Sequence, residues 1–263
     1  MTAIHPELPR LQEQALAYNC PAGTFAERVV LVTGAGDGIG RAVALALADA
    51  GATVVLLGRT QNKLEEVYDE ILKRGGAKPA MVPVNLEVAT PAHFEELAGM
   101  FDKEFGRLDG LLHNASVLGD ITPLDNYGYS TWDSVMQVNV NAAFYLTRAM
   151  LPLLRSASAA SVLFTSSSVG RVGRAFWGAY AVSKFATEGL MQVMADELEN
   201  TSKIRVNTIN PGGTRTRMRA QAYPGEDANT LRTPEDIVPA YLYLLGPASD
   251  GVTGQAFNAQ PPR

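Results

Sequence analysis

Short runs of apolar, mostly β-branched residues alternate with longer helical stretches along most of this chain. The first run, Val29-Val30-Leu31-Val32, is apolar at every position instead of at every second one. Strands have this pattern when helices cover both faces of their sheet. Strict alternation of strand and helix then implies a parallel sheet with right-handed crossovers. The predicted strands lie at residues 28–33, 53–57, 80–84, 110–113, 161–165 and 204–209, with a short one near 255–258.

Between these runs the sequence predicts helices at residues 38–50, 61–74, 91–105, 131–154, 180–200 and 234–245. No linker interrupts the series, so we expect one α/β domain over residues 28–263, with about seven strands and helices on both faces. Residues 1–27 precede it as a leader with helical potential around 8–18. Residues 212–232 are polar and contain Gly and Pro, which predicts a lid or ordering loop.

Composition excludes several classes of function. The charge of 22 − 27 = −5, with a pI of about 5.3, leaves no basic surplus for nucleic acid, although a small anionic ligand remains compatible. No apolar run approaches the roughly 20 residues of a membrane helix, so no membrane partner is expected. Cys20 is the single cysteine and the three histidines lack ligand spacing, so we expect no disulfide and no metal site. A cytoplasmic location is the default expectation.

A glycine-rich turn, Thr33-Gly34-Ala35-Gly36-Asp37-Gly38-Ile39-Gly40, follows the first predicted strand and opens the first helix. Glycine permits the sharp turn and lets the backbone approach a pyrophosphate without an intervening Cβ. The helix N-terminus then offers free N–H groups to the anion. No Gly-Lys-Ser/Thr follows, so the Walker pattern is absent. The Thr-Gly-x-x-x-Gly-x-Gly form resembles the short-chain dehydrogenase/reductase family, which implies a Rossmann-type doubly wound sheet.

Tyr180-Ala-Val-Ser-Lys184 places a tyrosine and a lysine four residues apart, on the same face of a helix. A tyrosine acts as a base near neutrality only if its pKa falls by about three units, which requires about 4 kcal/mol. One ammonium about 4 Å away, at an effective dielectric near 20, supplies energy of that order. We therefore expect Lys184 to lower the pKa of Tyr180. The pair by itself also occurs by chance on exposed helix faces.

A serine triplet, Ser166-Ser167-Ser168, ends the fifth predicted strand, where open α/β sheets place their ligands. The residues alone do not choose among the three. The resemblance selects Ser167, which lies 13 residues before Tyr180 and three before Gly170. It also implies that Asn139 kinks a helix and holds a proton-relay water.

Arg59 follows the second predicted strand, 19 residues past Gly40. An acidic residue there would select NAD, whereas an arginine favours the 2′-phosphate of NADP. A solvated arginine that opens a helix is the plainer alternative. Asp37 opposes the NADP reading, because NADP-dependent relatives often carry a basic residue at that point of the turn. We expect NADP(H) to be preferred and NAD(H) to remain possible.

Three further segments resemble family motifs: Asn85-Leu86, the end of the fourth predicted strand, and the Pro-Gly turn after the sixth. The fourth strand ends His113-Asn-Ala-Ser116, where the family has Asn-Asn-Ala-Gly, so His113 and Ser116 depart from the pattern. The resemblance gives Asn85-Leu86 an adenine contact and the Pro-Gly turn after the sixth strand a nicotinamide contact. His113 is expected to be a packed structural residue. The implied cofactor contacts are Gly34, Gly36, Asp37, Gly38, Ile39, Gly40, Arg59, Asn85, Leu86, Asn114, Ala115, Tyr180, Lys184, Pro211, Gly212, Thr214 and Thr216.

The family resemblance implies hydride transfer between a nicotinamide and a small carbonyl or alcohol substrate. Its implied catalytic residues are Asn139, Ser167, Tyr180 and Lys184. A catalytically silent dinucleotide-binding sensor and a nucleotide-sugar epimerase remain alternatives, and the epimerase usually has a larger C-terminal region. The resemblance also implies a homodimer or homotetramer and a substrate-side loop at 212–232. Five arginines could bind a carboxylate or phosphate of the substrate, or could instead be solvated or lie in a subunit interface. They are Arg171, Arg174, Arg215, Arg217 and Arg219.

Overall fold

A computed structural model describes residues 6–261 of the chain. Seven parallel strands form one sheet in the order β3-β2-β1-β4-β5-β6-β7, which confirms the predicted fold class. Every predicted strand is present, with bounds within one or two residues of those expected. The strands are β1 Val29–Thr33, β2 Thr53–Gly58, β3 Ala80–Pro83, β4 Gly110–His113, β5 Ala160–Thr165, β6 Ile204–Asn210 and β7 Ala256–Asn258.

Helices cover both faces of the sheet, and the all-apolar strands serve both layers. Val30 and Val32 of β1 join one buried cluster, while Val29 and Leu31 join the other. The helices within residues 6–261 are α1 Leu8–Leu16, α2 Gly38–Asp49, α3 Gln61–Lys73, α4 Pro91–Phe105, α5 Tyr129–Met136, α6 Ala142–Ser156, α7 Gly178–Glu199, α8 Arg217–Ala222 and α9 Pro234–Leu245. The first cluster includes residues of α1, α2, α3 and α9, and the second includes residues of α4, α6 and α7. Within residues 6–261, no helix has the length and apolarity to cross a bilayer.

The strand order reverses between β1 and β4, which pair directly with Val32 opposite Leu112. Crossovers on the two sides of this switch point leave in opposite directions and open a crevice beyond the carboxyl ends of the strands. The glycine-rich turn follows β1, and the serine triplet follows β5, next to β4. The topology therefore brings residues that are far apart in sequence to one edge.

The single helix predicted at 131–154 is wrong, because residues 137–141 form a π-helical segment between α5 and α6. Asn139 lies in this segment, and its side chain is buried. Its Oδ1 accepts the backbone N–H of Val117 at 2.9 Å, and its Nδ2 donates to the Val117 carbonyl at 3.0 Å. These bonds tie the widened turn to the loop after β4. π-Bulges of this kind are frequent at functional sites.

The leader folds against the main body through α1. The Gln12 amide bonds the backbone of Asn258 twice, donating to its carbonyl at 2.6 Å and accepting its N–H at 2.8 Å. Tyr18 meets Tyr243 of α9 edge to face, with ring centroids 5.6 Å apart. The helix α1 and the turn after it, residues 8–18, therefore contact the edge strand β7 and α9.

Candidate active site

A cavity of about 1270 Å³ opens beyond the carboxyl ends of the strands. Nearly all the predicted site residues line it. From the glycine-rich turn to the loop after β6 they are Gly34, Gly36, Asp37, Gly38, Ile39, Arg59, Asn85, Leu86, Asn114, Ala115, Ser167, Tyr180, Lys184, Pro211, Gly212, Thr214 and Thr216. Gly40 and Asn139 are not part of its lining and act from behind it.

Gly40 brings α2 against the turn so closely that no side chain fits. A Cβ there would lie 2.2 Å from the carbonyl oxygen of Gly34 and 2.7 Å from Nδ2 of Asn114. Gly34 itself has φ +67, a left-handed conformation that favours glycine. These two glycines therefore set the position of the α2 N-terminus at the cavity floor, where its first N–H groups suit an anion.

Asp37 begins α2 as its N-cap and accepts the backbone N–H of Gly38 at 2.8 Å. Its carboxylate also forms an ion pair with Lys63 of α3. The hydrogen bond from Lys63 is the main cause that lowers the pKa of Asp37, and the charge of Arg217 contributes. The negative charge of Asp37, which argued against NADP as the cofactor, is therefore neutralised by Lys63, a residue that the sequence motifs did not identify.

Arg59 lines the same end of the cavity and is exposed. Its side chain has no hydrogen-bond or ion-pair partner among residues 6–261. The guanidinium is therefore available to an anionic ligand group at this end. Asn85 also lines this region, and its Oδ1 accepts the N–H of Glu87 at 3.2 Å, which shapes the turn after β3.

Asn114 braces the three central strand ends. Its backbone N–H donates to Oγ1 of Thr33 at 2.9 Å, and its Nδ2 donates to the Thr33 carbonyl at 3.3 Å. Thr165 of β5 donates to its Oδ1 at 3.4 Å. Ser116 and Ser166 line the cavity nearby, and each has a buried hydroxyl oxygen that finds no hydrogen-bond partner in the described part of the chain. Orphaned hydroxyls around a glycine cradle suit a polar dinucleotide, so the residues present fit that cofactor.

The predicted lowering of the Tyr180 pKa is wrong in this structure. Burial raises the pKa of Tyr180 to about 12, and a hydrogen bond with Ser167 is the opposing influence. The Lys184 ammonium lies 5.4 Å from the Tyr180 ring centroid and donates to the Thr165 carbonyl at 2.8 Å. Desolvation of the phenolate therefore outweighs the nearby positive charge. Tyr180 is protonated at neutral pH, which is the form that donates a proton.

Lys184 is almost fully enclosed, with 4% of its surface exposed. Burial lowers its pKa to about 8, and the negative charge of Glu188, one helical turn later, opposes the shift. The Glu188 carboxylate itself accepts hydrogen bonds from Thr208 Oγ1 at 2.8 Å and from Arg171 Nε at 3.3 Å. An amine with a pKa near the physiological range can exchange protons readily.

Asn139 connects the helical distortion to the catalytic helix α7. Its Nδ2 also donates to Oγ of Ser183 at 3.0 Å, and Ser183 precedes Lys184 directly. Ser183 Oγ donates in turn to the Tyr180 carbonyl at 2.7 Å. The side chain of Asn139 is therefore engaged with protein groups on both sides.

Three of the five candidate arginines are held by the protein itself. Arg171 donates to the Phe257 carbonyl at 2.8 Å and to Asn258 Oδ1 at 3.0 Å, in addition to its pair with Glu188. Arg219 forms two bonds with Glu226, at 2.5 and 2.6 Å. Arg215 donates to the Ala228 carbonyl at 2.8 Å. These three side chains are therefore engaged within the protein, an arrangement that differs from the substrate-binding, solvated and interfacial roles expected from the sequence.

Gln260 is a site residue that motif reasoning missed. Its Nε2 donates to the carbonyls of Pro211 at 2.7 Å and Gly213 at 3.0 Å, and it reaches Thr214 Oγ1 at 3.2 Å. It therefore holds the Pro-Gly turn in place from the far end of the chain. Within residues 6–261 there is no group of three His, Cys, Asp or Glu side chains that could hold a metal ion.

His113 is structural, as predicted. Its ring stacks on Phe164 with centroids 4.7 Å apart, and its Nε2 lies 2.7 Å from Oγ1 of Thr147. Burial lowers its pKa to about 3, so it is neutral at physiological pH. The departure from the family pattern at this position therefore concerns packing.

Comparison with known proteins agrees with this geometry. The short chain dehydrogenase family model matches residues 28–227. The chain is 54% identical over 237 residues to the Escherichia coli (strain K12) protein named uncharacterized oxidoreductase YciK, covering 90% of this chain and 93% of that one. A Shigella flexneri short chain dehydrogenase complexed with NADP superposes with a TM-score of 0.89 at 52% identity, covering 92% of this chain and all of that one.

A second solved relative, from Escherichia coli CFT073 and complexed with NADPH, has a TM-score of 0.88 at 53% identity. The superposition covers 91% of this chain and 99% of that one. The match of the family model spans most of the chain, and the order of strands and motifs is that expected of the family. This chain therefore belongs to the short-chain dehydrogenase family and is an NAD(P)-dependent oxidoreductase that acts on CH–OH groups.

Proposed function

We propose that the protein uses NADPH to reduce the carbonyl group of a small molecule, and that Tyr180 donates the proton. The observation that carries this proposal is the buried Tyr180 on the cavity wall, with Ser167 and Lys184 lining the same cavity and the Lys184 ammonium 5.4 Å from the Tyr180 ring centroid. A tyrosine whose pKa is about 12 is a proton donor at neutral pH. Alcohol oxidation is the reverse direction, in which the same group accepts the proton.

Ser167 and Tyr180 have complementary roles in this proposal. NADP(H), when bound, supplies or accepts the hydride. Both hydroxyls donate hydrogen bonds to the substrate oxygen, where negative charge develops as the carbonyl is reduced. Ser167 is also the N-cap of the short turn at residues 168–170, where its Oγ accepts the backbone N–H of Val169 at 3.4 Å. This bond helps to fix the position of the Ser167 side chain.

Lys184 is the group that returns a proton to Tyr180. Its pKa of about 8 lies close to physiological pH, so its charge state changes with little cost. Lys184 also lines the cavity and would hold the ribose hydroxyls of a cofactor bound there. Asn139 fixes the helical segment behind it and supports a relay water, as the family resemblance implies.

Arg59 and the glycine-rich turn make NADP(H) the preferred cofactor in this proposal, with NAD(H) possible. Arg59 is exposed at one end of the cavity and has no side-chain partner within residues 6–261, and Lys63 neutralises Asp37 there. The two solved relatives described above were complexed with NADP and NADPH. Asn85 and Leu86 would contact the adenine, and Pro211, Gly212, Thr214 and Thr216 the nicotinamide end.

The cofactor preference is tested by the Michaelis constants for NADPH and NADH in wild type and Arg59→Ala. Wild type should favour NADPH, and the variant should lose most of that preference while its constant for NADH changes little. Equal use of the two cofactors by wild type would contradict the assignment of Arg59.

The enzymatic proposal is separated from a silent sensor by two measurements on one preparation. Calorimetry measures NADPH binding, and a pooled panel of aldehydes, ketones and quinones is followed by the loss of NADPH absorbance. We expect binding together with turnover of at least one pool. Tight binding without turnover of any carbonyl or alcohol would favour the sensor.

The exposed apolar side chains of α6 and α7 favour a homo-oligomer. Phe144 is 45% exposed on α6, and Phe185 is 46% exposed on α7, with Val182 one turn away. Large apolar groups on two long helices are typical of a subunit interface. A homodimer or homotetramer is expected in sedimentation velocity, and a monomer at micromolar concentration would contradict it.

A further inference from the structure

The cavity wall beside Tyr180 is aromatic and apolar. The Trp177 ring centroid lies 5.8 Å from that of Tyr180 and 5.8 Å from that of Tyr223, which follows α8. Leu118, Val169 and Met218 pack in the same cluster. These side chains come from three separate parts of the chain and line the same cavity. Such a surface suits a flat apolar molecule whose reactive carbonyl reaches Tyr180.

A second feature of this wall is a cation, Arg174. Arg174 lines the cavity, is exposed, and has no side-chain partner among the described residues. It is one turn before Trp177, whose backbone N–H donates to the Arg174 carbonyl at 3.3 Å. Arg217 also lines the cavity but lies near the glycine-rich turn, where its charge lowers the pKa of Asp37. Arg174 is therefore the candidate for an anion on the substrate itself.

The segment that carries both residues is held in a strained conformation. Phe176 has φ +74, which non-glycine residues rarely adopt, and its carbonyl accepts the N–H of Thr122 at 3.1 Å. Strain of this kind persists where the surrounding structure imposes it, and it concentrates at ligand-binding sites. Here it accompanies the turn that presents Arg174 and Trp177 to one cavity.

We propose that the substrate is an aromatic, or similarly flat apolar, carbonyl compound that carries an anionic group. Its ring lies against Trp177 and Tyr223, and its carboxylate or phosphate pairs with Arg174. A guanidinium binds both anions through paired N–H donors. This inference rests on the proposed function, since it places the carbonyl at Tyr180.

The test compares substrates that differ only in charge. The probes are 4-carboxybenzaldehyde and its neutral methyl ester, with 4-formylphenyl phosphate to distinguish a phosphate from a carboxylate. For wild type with NADPH, we expect kcat/KM for at least one anionic aldehyde to exceed that for the ester at least tenfold. Arg174→Gln should reduce this ratio at least tenfold. Arg232→Gln removes an exposed arginine outside the cavity and is the matched control, with no change expected in this ratio.

A calorimetric titration keeps this inference distinct from hydride transfer itself. The NADP⁺-loaded protein is titrated with the same three probes. If no aldehyde is reduced but an anionic probe binds at least tenfold more tightly than the ester, and Arg174→Gln removes this difference, the recognition of the anion by Arg174 stands and the proposed function fails. If the aldehydes are reduced without preference for charge, the proposed function stands and the inference is overturned. Binding of none of the probes also overturns the inference.

Discussion

Replacing Lys184 by methionine should stabilise the protein at neutral pH while abolishing its activity. Burial lowers the Lys184 pKa from its ordinary 10.5 to about 8. Below pH 8 the ammonium is charged in both the folded and the unfolded chain, so the folded state bears the full desolvation cost. At about 1.4 kcal/mol for each pKa unit, this cost is about 3 kcal/mol. Methionine has a similar length and no charge to desolvate.

The substitution also removes the hydrogen bond from Lys184 to the Thr165 carbonyl, which we expect to cost about 1 kcal/mol. The net gain at pH 7 is then about 2 kcal/mol in the free energy of unfolding. Between pH 8 and 10.5 the unfolded wild type retains the proton that the folded wild type has lost. Wild-type stability therefore rises with pH in this window. Above pH 10.5 the variant should be the less stable protein, by about 1 kcal/mol.

Urea unfolding followed by circular dichroism, at intervals from pH 7 to about pH 11, measures this difference directly. Tyr180 is present in both proteins, so its own titration largely cancels in the comparison. Lys73→Met, at the exposed end of α3, is the control and should show no such crossing. A Lys184→Met difference that stays constant across the pH range would refute the desolvation argument. A stabilised but inactive variant would show a binding site that sacrifices stability for function.

Two further predictions concern the glycine-rich turn. Gly40→Ala should destabilise the fold by about 1–3 kcal/mol in thermal unfolding, because its Cβ would lie 2.2 Å from a backbone oxygen. At Gly99 in α4 an added Cβ would contact no described atom outside its own stretch of helix within 4 Å, so Gly99→Ala should instead gain about 0.5–1 kcal/mol. Lys63→Ala leaves the Asp37 carboxylate unpaired and should raise the Michaelis constant for NADPH about fivefold, as about 1 kcal/mol of repulsion implies. An unchanged constant would show that Asp37 lies too far from the phosphates to matter.

The sequence predicted the sheet well because burial on both faces leaves a local signature. Val29 to Val32 are apolar at every position, and they divide between two helical layers in the structure. The glycine-rich turn and the pair Tyr180 and Lys184 are likewise local motifs, so the family was recognisable before the structure. Packing then determined how these motifs meet.

Features that depend on three-dimensional contacts were not predictable in the same way. The π-helical segment at 137–141 shifts backbone hydrogen bonds without changing side-chain periodicity, so one continuous helix was expected. The contact of Lys63 with Asp37 joins α3 to the start of α2, and Gln260 reaches the Pro-Gly turn across about 50 residues of sequence. The pKa of Tyr180 is raised, not lowered as expected, because the side chain is buried. The spacing of Tyr180 and Lys184 on a helix does not reveal that burial.

The most direct test of the central claim is Tyr180→Phe, measured for cofactor binding and for turnover. Calorimetry with NADPH should give a dissociation constant within about twofold of wild type, because the substitution removes a single hydroxyl. With a carbonyl compound that wild type reduces, kcat should fall by about 10²–10⁴-fold, the range typical of a lost proton donor. Retention of wild-type turnover by Tyr180→Phe would contradict the role of Tyr180 as the proton donor.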